Sequence, residues 1–164
     1  MNLFYAVLVS ASMFATSAIA TEKAGGEGAV DIAERYLAAY STFDTEKMAP
    51  LLSDDMVFTD PTKPPEMNDG QVFTHVGKKA VLTALGGYAS LYEEFSLDYK
   101  IDRRYESNGA VVFVGDVTYN ILTDAGQTLT GTAPIVTVVK VNNGKIARHT
   151  DYYDYAGNVI ETKN

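Results

Sequence analysis

Three short separators cut the second half of this chain into four runs that can pair only with their neighbours if they pair simply. Ser107-Asn108-Gly109, Asp124-Ala125-Gly126 and Asn142-Asn143-Gly144 stand between residues 95–105, 110–122, 127–141 and 145–155. Asn, Asp and Gly supply the positive φ that a tight turn needs, so each separator reads as a hairpin between strands. Consecutive hairpins make an antiparallel sheet. Pro134, inside the third run, predicts a bulge that would help to curl it.

The first half reads as helices and loops. Residues 29–40 place Val30, Ala33, Leu37 and Tyr40 on one helical face, with Ile32 and Tyr36 beside it. Asp44 or Thr45 can cap a short second helix through Leu52, which holds Pro50 in its first turns. Residues 56–60 form a short strand. Pro61 to Val76 carries Pro61, Pro64, Pro65 and Asn68-Asp69-Gly70, and its length is that of a lid or binding loop. Residues 77–94 read as a third helix, weakened in its middle by Gly86-Gly87. The expected class is α+β: three N-terminal helices packed on the concave side of a curved, mostly antiparallel sheet, a half-cone around a pocket.

Residues 1–20 read as a signal peptide. An apolar run from Leu3 ends in Ala18-Ile19-Ala20, a small-x-small pattern that predicts cleavage after Ala20 and a secreted or periplasmic protein. Residues 21–28 read as a flexible leader, 29–156 as one pocket domain and 157–164 as a C-terminal tail. The net charge of −8 lies wholly after residue 20. It argues against nucleic acid or an anionic membrane as partner once the signal is removed. With no Cys there is no thiol nucleophile or thiolate metal site. His75 and His149 have no metal-ligand spacing, so no metal is expected. Neither a phosphate loop, a nucleophile elbow nor a dinucleotide fingerprint occurs, so no cofactor is expected either.

Two aspartates are the candidate chemistry. Asp60 closes a strand beside apolar residues, where it could shuttle protons; alternatively, Asp-Pro simply starts a turn. Strict alternation puts Ala147, His149, Asp151 and Tyr153 on one face of the last strand as a polar, aromatic wall. His149 could orient or protonate a ligand group, unless Asp151 is held in a salt bridge. Tyr36 and Tyr40 are either hydroxyl donors or core aromatics. Asp116 and Thr118 share a strand face with Val112 and Val114, lining the cavity or reaching solvent. His75, in the long loop, reads as exposed.

Arg35-Tyr36-Leu37-Ala38-Ala39, then Asp44, Asp54-Asp55 and Asp60-Pro61, resembles the front half of ketosteroid isomerases. Gly144-Lys145-Ile146 and His149-Thr150-Asp151-Tyr152-Tyr153-Asp154 resemble the closing strand of SnoaL-like cyclases and limonene-epoxide-hydrolase-like proteins. Together, over residues 29–156, they identify a member of the nuclear transport factor 2-like superfamily, with its cystatin-like half-cone. The ketosteroid isomerase likeness implies Asp60 as base and Tyr36 as oxyanion donor, with Thr137 where the second oxyanion acid would stand. The SnoaL-like likeness implies Asp151 as the acid–base residue. For epoxide hydrolysis the pattern departs: Val114 stands in place of Arg, and Phe58 and Asp60 in place of Tyr and Asn. The resemblance implies a cofactor-independent isomerase or cyclase for a small hydrophobic substrate, with Phe58 and Tyr153 among the ligand contacts, in a homodimer. The alternative is a non-catalytic hydrophobic-ligand-binding or dimerising module.

Overall fold

The computed structural model describes residues 27–64, 67–123 and 125–163. The expected signal peptide, residues 1–20, lies outside the described residues, as does most of the 21–28 leader. Helix α1 (Ala29–Tyr40) begins where the Gly28 N–H donates to Asp31 Oδ2 at 3.2 Å. Helix α2 is one turn (Thr45–Met48), capped by Asp44, whose Oδ1 accepts the Lys47 N–H at 3.0 Å. A 3-10 turn, Ala49–Leu51, follows around Pro50, which has no N–H to continue the helix. Strand β1 (Leu52–Asp60) therefore starts where the second helix was expected to end, four residues ahead of Met56.

Inside the expected long connection lies a strand, β2 (Phe73–Val76), paired antiparallel with β1 so that Phe73 faces Asp60 and His75 faces Phe58. It is short and on the sheet edge, so little alternation marks it in the sequence. Helix α3 (Lys78–Ala89) stops soon after Gly86-Gly87 instead of reaching Glu94. The strands that follow are β3 (Glu94–Ser107), β4 (Ala110–Leu122), β5 (Thr128–Asn142) and β6 (Lys145–Tyr153). Asn108-Gly109 and Asn143-Gly144 take positive φ at both residues, as two-residue hairpins require. Residues read as a C-terminal tail include a further strand, β7 (Val159–Lys163).

The sheet runs β2-β1-β6-β5-β4-β3 and does not close; β1 and β6 are parallel and every other pair is antiparallel. Because β5 outruns β6, its Thr128–Thr132 half pairs with β7. Pro134 sits between those two partners and makes no bulge: its register with Asp116 on β4 is unbroken. Its carbonyl accepts the Asp154 N–H at 3.0 Å, so its nitrogen faces the same gap, where no ladder donor is missed. Bends come instead from irregularities in β3 at Ile101–Arg103 and in β6 opposite Lys140–Val141. At the first, Gly115 is needed, since a Cβ there would stand 2.0 Å from the Lys100 carbonyl oxygen. At the second, Arg148 pairs with Lys140 but Ile146 with Val141, leaving Ala147 as the extra residue. This breaks strict alternation and puts Ile146, not Ala147, on the same side as His149.

The concave face divides into two zones. Val111, Phe113, Val139, Val141 and Ile146 are buried under Ile32, Tyr36 and Leu37 of α1. Farther along the same strands, Val117, Tyr119, Ile121, Leu129 and Ile135 face a cavity. Thr137, paired with Phe113 on one side and Asp151 on the other, marks the boundary.

Candidate functional site

The cavity holds about 700 Å³, within the range of small-molecule sites. Its walls come from the last residues of α1 (Tyr40), the ends of β1 (Phe58, Asp60) and α3 (Leu85, Tyr88), strands β3 to β5, and the segment after β6. Most of that lining is aromatic or aliphatic. Sheet curvature thus brings Asp60 and Asp151, ninety-one residues apart, onto one cavity.

Asp151 is 5% exposed. Its Oδ1 accepts the Thr137 hydroxyl at 2.5 Å and its Oδ2 accepts the Tyr40 hydroxyl at 3.1 Å. A buried carboxylate needs such donors, because desolvation without them costs several kcal/mol. His149 Nε2 lies 2.8 Å from the same Oδ1, but off the line that an aligned hydrogen bond requires. The contact is one of packing between two residues of one strand. On its other side His149 Nδ1 meets the Tyr36 hydroxyl at 2.8 Å. Rings of Tyr36, Tyr40 and Phe58 enclose the imidazole at centroid distances of 5.5, 4.6 and 4.7 Å. His149 and Tyr36 therefore stand behind Asp151, fully buried, and are not on the cavity wall. His149 was expected at the ligand, and Tyr36 either there or in the core; the structure puts both in the core, with the Tyr36 hydroxyl on His149.

Asp60 lines the cavity, yet its oxygens are engaged. Oδ1 accepts from the Thr62 N–H at 2.9 Å, the Thr62 hydroxyl at 2.6 Å and the Lys63 N–H at 3.0 Å. Oδ2 accepts the Tyr155 hydroxyl at 2.5 Å. That is the Asx-turn geometry of Asp-Pro, with the Thr62 hydroxyl also accepting the Tyr153 N–H at 2.9 Å. Asp60 clasps the chain after β6 to the end of β1.

Asp116 and Thr118, which the sequence left either lining the cavity or reaching solvent, stand on the opposite face of β4, because the concave positions there are 117, 119 and 121. Asp116 lies 4.0 Å from Lys100, and Thr118 shares a 2.8 Å hydrogen bond with Thr132. Tyr40, Phe58 and Tyr153 do line the cavity. Thr137 lies beneath it, fully buried. Tyr99, Tyr119 and Tyr155 line it too, though they were not singled out in the sequence. Their signal was the spacing of Phe95, Leu97 and Tyr99 on β3 and of Val117, Tyr119 and Ile121 on β4. Tyr119 fits because it crosses Gly131, where any Cβ would come within 2.2 Å of its ring. His75, expected to be exposed, packs edge-on against Phe73 at the rim. Among the described residues no group of His, Asp or Glu is placed to hold a metal ion.

Burial, and then the Asp151 charge, hold the Tyr36, Tyr40 and Tyr99 phenols well above their ordinary value of 10.0. Burial is also the first cause at Tyr153, pushed up to about 12. An acid whose folded-state pKa is raised keeps its proton in the fold after the unfolded chain has lost it. Stability is then complete below pH 10 and falls as pH rises above it. Alkaline titration should show the buried phenols ionising only with unfolding. Exposed tyrosines such as Tyr105 and Tyr152 ionise without unfolding, so tyrosinate absorbance should rise in two steps, the second together with loss of near-ultraviolet circular dichroism; full ionisation before that loss would contradict the burial.

A family model described as a SnoaL-like domain matches residues 33–149, more than half of the chain. No curated protein matches. Several solved structures share the fold. A proposed SnoaL-like polyketide cyclase from Shewanella putrefaciens CN-32 is 19% identical with a TM-score of 0.66, covering 91% of this chain and 94% of its own. A protein of ketosteroid isomerase-like fold from Catenulispora acidiphila DSM 44928, in complex with trimethylamine, is 16% identical with a TM-score of 0.58 over 77% and 88%. An LEH-like epoxide hydrolase from M. tuberculosis is 20% identical with a TM-score of 0.59 over 79% and 84%.

Proposed function

Since the chain belongs to the SnoaL-like domain family, within the nuclear transport factor 2-like superfamily, we propose that it is a cofactor-independent acid–base enzyme of isomerase or cyclase type for a small hydrophobic substrate. One observation carries this reading: a carboxylate, Asp151, stands at the floor of an aromatic cavity with each oxygen held by a fixed hydroxyl. Asp151 takes a proton from an acidic C–H next to a carbonyl. The Tyr153 hydroxyl, buried on the cavity side without a protein partner, donates to the oxyanion that develops. Tyr40 and Thr137 aim the base, and His149, with Tyr36 behind it, packs against it without touching substrate. Asp60 shapes the cavity through its turn. Export after cleavage at Ala20 and a homodimer belong to the same proposal.

The test is solvent deuterium exchange at the α-carbon of a panel of apolar cyclic ketones, followed by NMR at neutral pH. Exchange above the buffer rate for at least one ketone is expected. Binding of these ketones with no exchange would leave the non-catalytic binder as the reading.

A further inference from the structure

A cation stands at the rim of this apolar cavity. Lys63 Nζ lies 4.1 Å from the centre of the Phe73 ring. Among the described residues it makes no salt bridge. Asp60, three residues before it, already accepts four hydrogen bonds. On the same ring His75 packs at 4.8 Å, nearly perpendicular, and its Nε2 is buried without a protein partner. Lys63, Phe73 and His75 all line the cavity. Burial, and then the Lys63 charge, lower the His75 pKa, so at neutral pH the imidazole is neutral and can carry its proton on Nε2.

An ammonium and an orphaned ring nitrogen flanking one aromatic side chain match an anion with two acceptor oxygens. The overall charge of −8 repels anions at long range, but that field is screened within about 8 Å at physiological salt. A local cation decides the contact. We propose that the cavity takes an amphipathic carboxylic acid, its carboxylate held at the rim by Lys63 and His75 and its apolar body reaching towards Asp151. The proposal rests on the cavity being the ligand site, as above, but not on turnover.

Decanoate and its methyl ester are suitable probes, measured by titration calorimetry at neutral pH. A hydrogen bond to a charged group strengthens binding by about an order of magnitude or more, so decanoate should bind at least about tenfold more tightly than the ester. Lys63→Gln should erase that preference and leave ester affinity unchanged, and Lys63→Arg should keep it. Equal binding of acid and ester by the unaltered protein would overturn the anion site while leaving the cavity reading intact. So would a Lys63→Gln protein that weakens for both alike. Failure of both probes to bind would overturn the proposal together with the hydrophobic cavity it rests on.

Discussion

Asp151→Asn is expected to slow α-carbon exchange by roughly 10²–10⁴-fold, the usual contribution of a positioned general base, while ketone affinity and thermal midpoint stay near those of the unaltered protein. The reason is the pattern of donors around the carboxylate. Thr137 gives a proton to Oδ1 and Tyr40 gives one to Oδ2. An asparagine there can still accept from Thr137 through its amide oxygen, and its NH₂ can donate to the Tyr40 oxygen once that hydroxyl turns. The network survives and only the basic site is lost. Asp151→Ala would mix two effects, because it strands two buried hydroxyl donors at about 1–3 kcal/mol each. Asp60→Asn is the matching control. It loosens the Tyr155 clasp and so costs stability, but it should leave most of the exchange rate. If Asp60→Asn abolished exchange and Asp151→Asn did not, the base would be misassigned.

That the two aspartates differ so much could not have been read from their sequence surroundings. Each ends or nearly ends a strand, and each is flanked by aromatic and hydroxyl residues. What separates them is long-range: Tyr155 reaches back across ninety-five positions to Asp60, and Tyr40 reaches forward across 111 to Asp151. Local pattern did reveal the hairpins, since Asn-Gly turns demand positive φ wherever they fall. It also showed the α1 face, where burial repeats with helical period. It failed at Pro134, because a proline at a change of partner looks the same in sequence as one at a bulge. It could not decide for Asp116 and Thr118, because a β4 strand buried on one half of one face only gives two alternating sets of similar polarity. The β6 irregularity at Ala147 shifted which residues join the core, although His149, Asp151 and Tyr153 kept their common side. Family likeness singled out Asp151 and Tyr36 before any geometry was known, and the structure sets Asp151 on the cavity and Tyr36 behind it.

Tyr36→Ala should cause the largest loss of stability in this region, about 3–5 kcal/mol by comparison with other buried aromatic truncations. Tyr36 is fully buried, stacks on Tyr40 with ring centres 6.0 Å apart, and fills the space between α1 and His149. For a domain of this size the thermal midpoint should fall by roughly 10–20 °C. Tyr36→Phe keeps the ring and removes only the hydroxyl, leaving His149 Nδ1 without its 2.8 Å partner. Its cost should be smaller, about 1–3 kcal/mol. The two variants separate packing from orientation. If Tyr36 donates to Nδ1, the imidazole proton is fixed on Nε2, the nitrogen that faces Asp151. Nitrogen-15 shifts of the His149 ring should then show one tautomer in the unaltered protein and a mixture in Tyr36→Phe. Unchanged shifts would mean that the enclosing rings alone set the imidazole, and Tyr36 would be a packing residue with no part in holding the base.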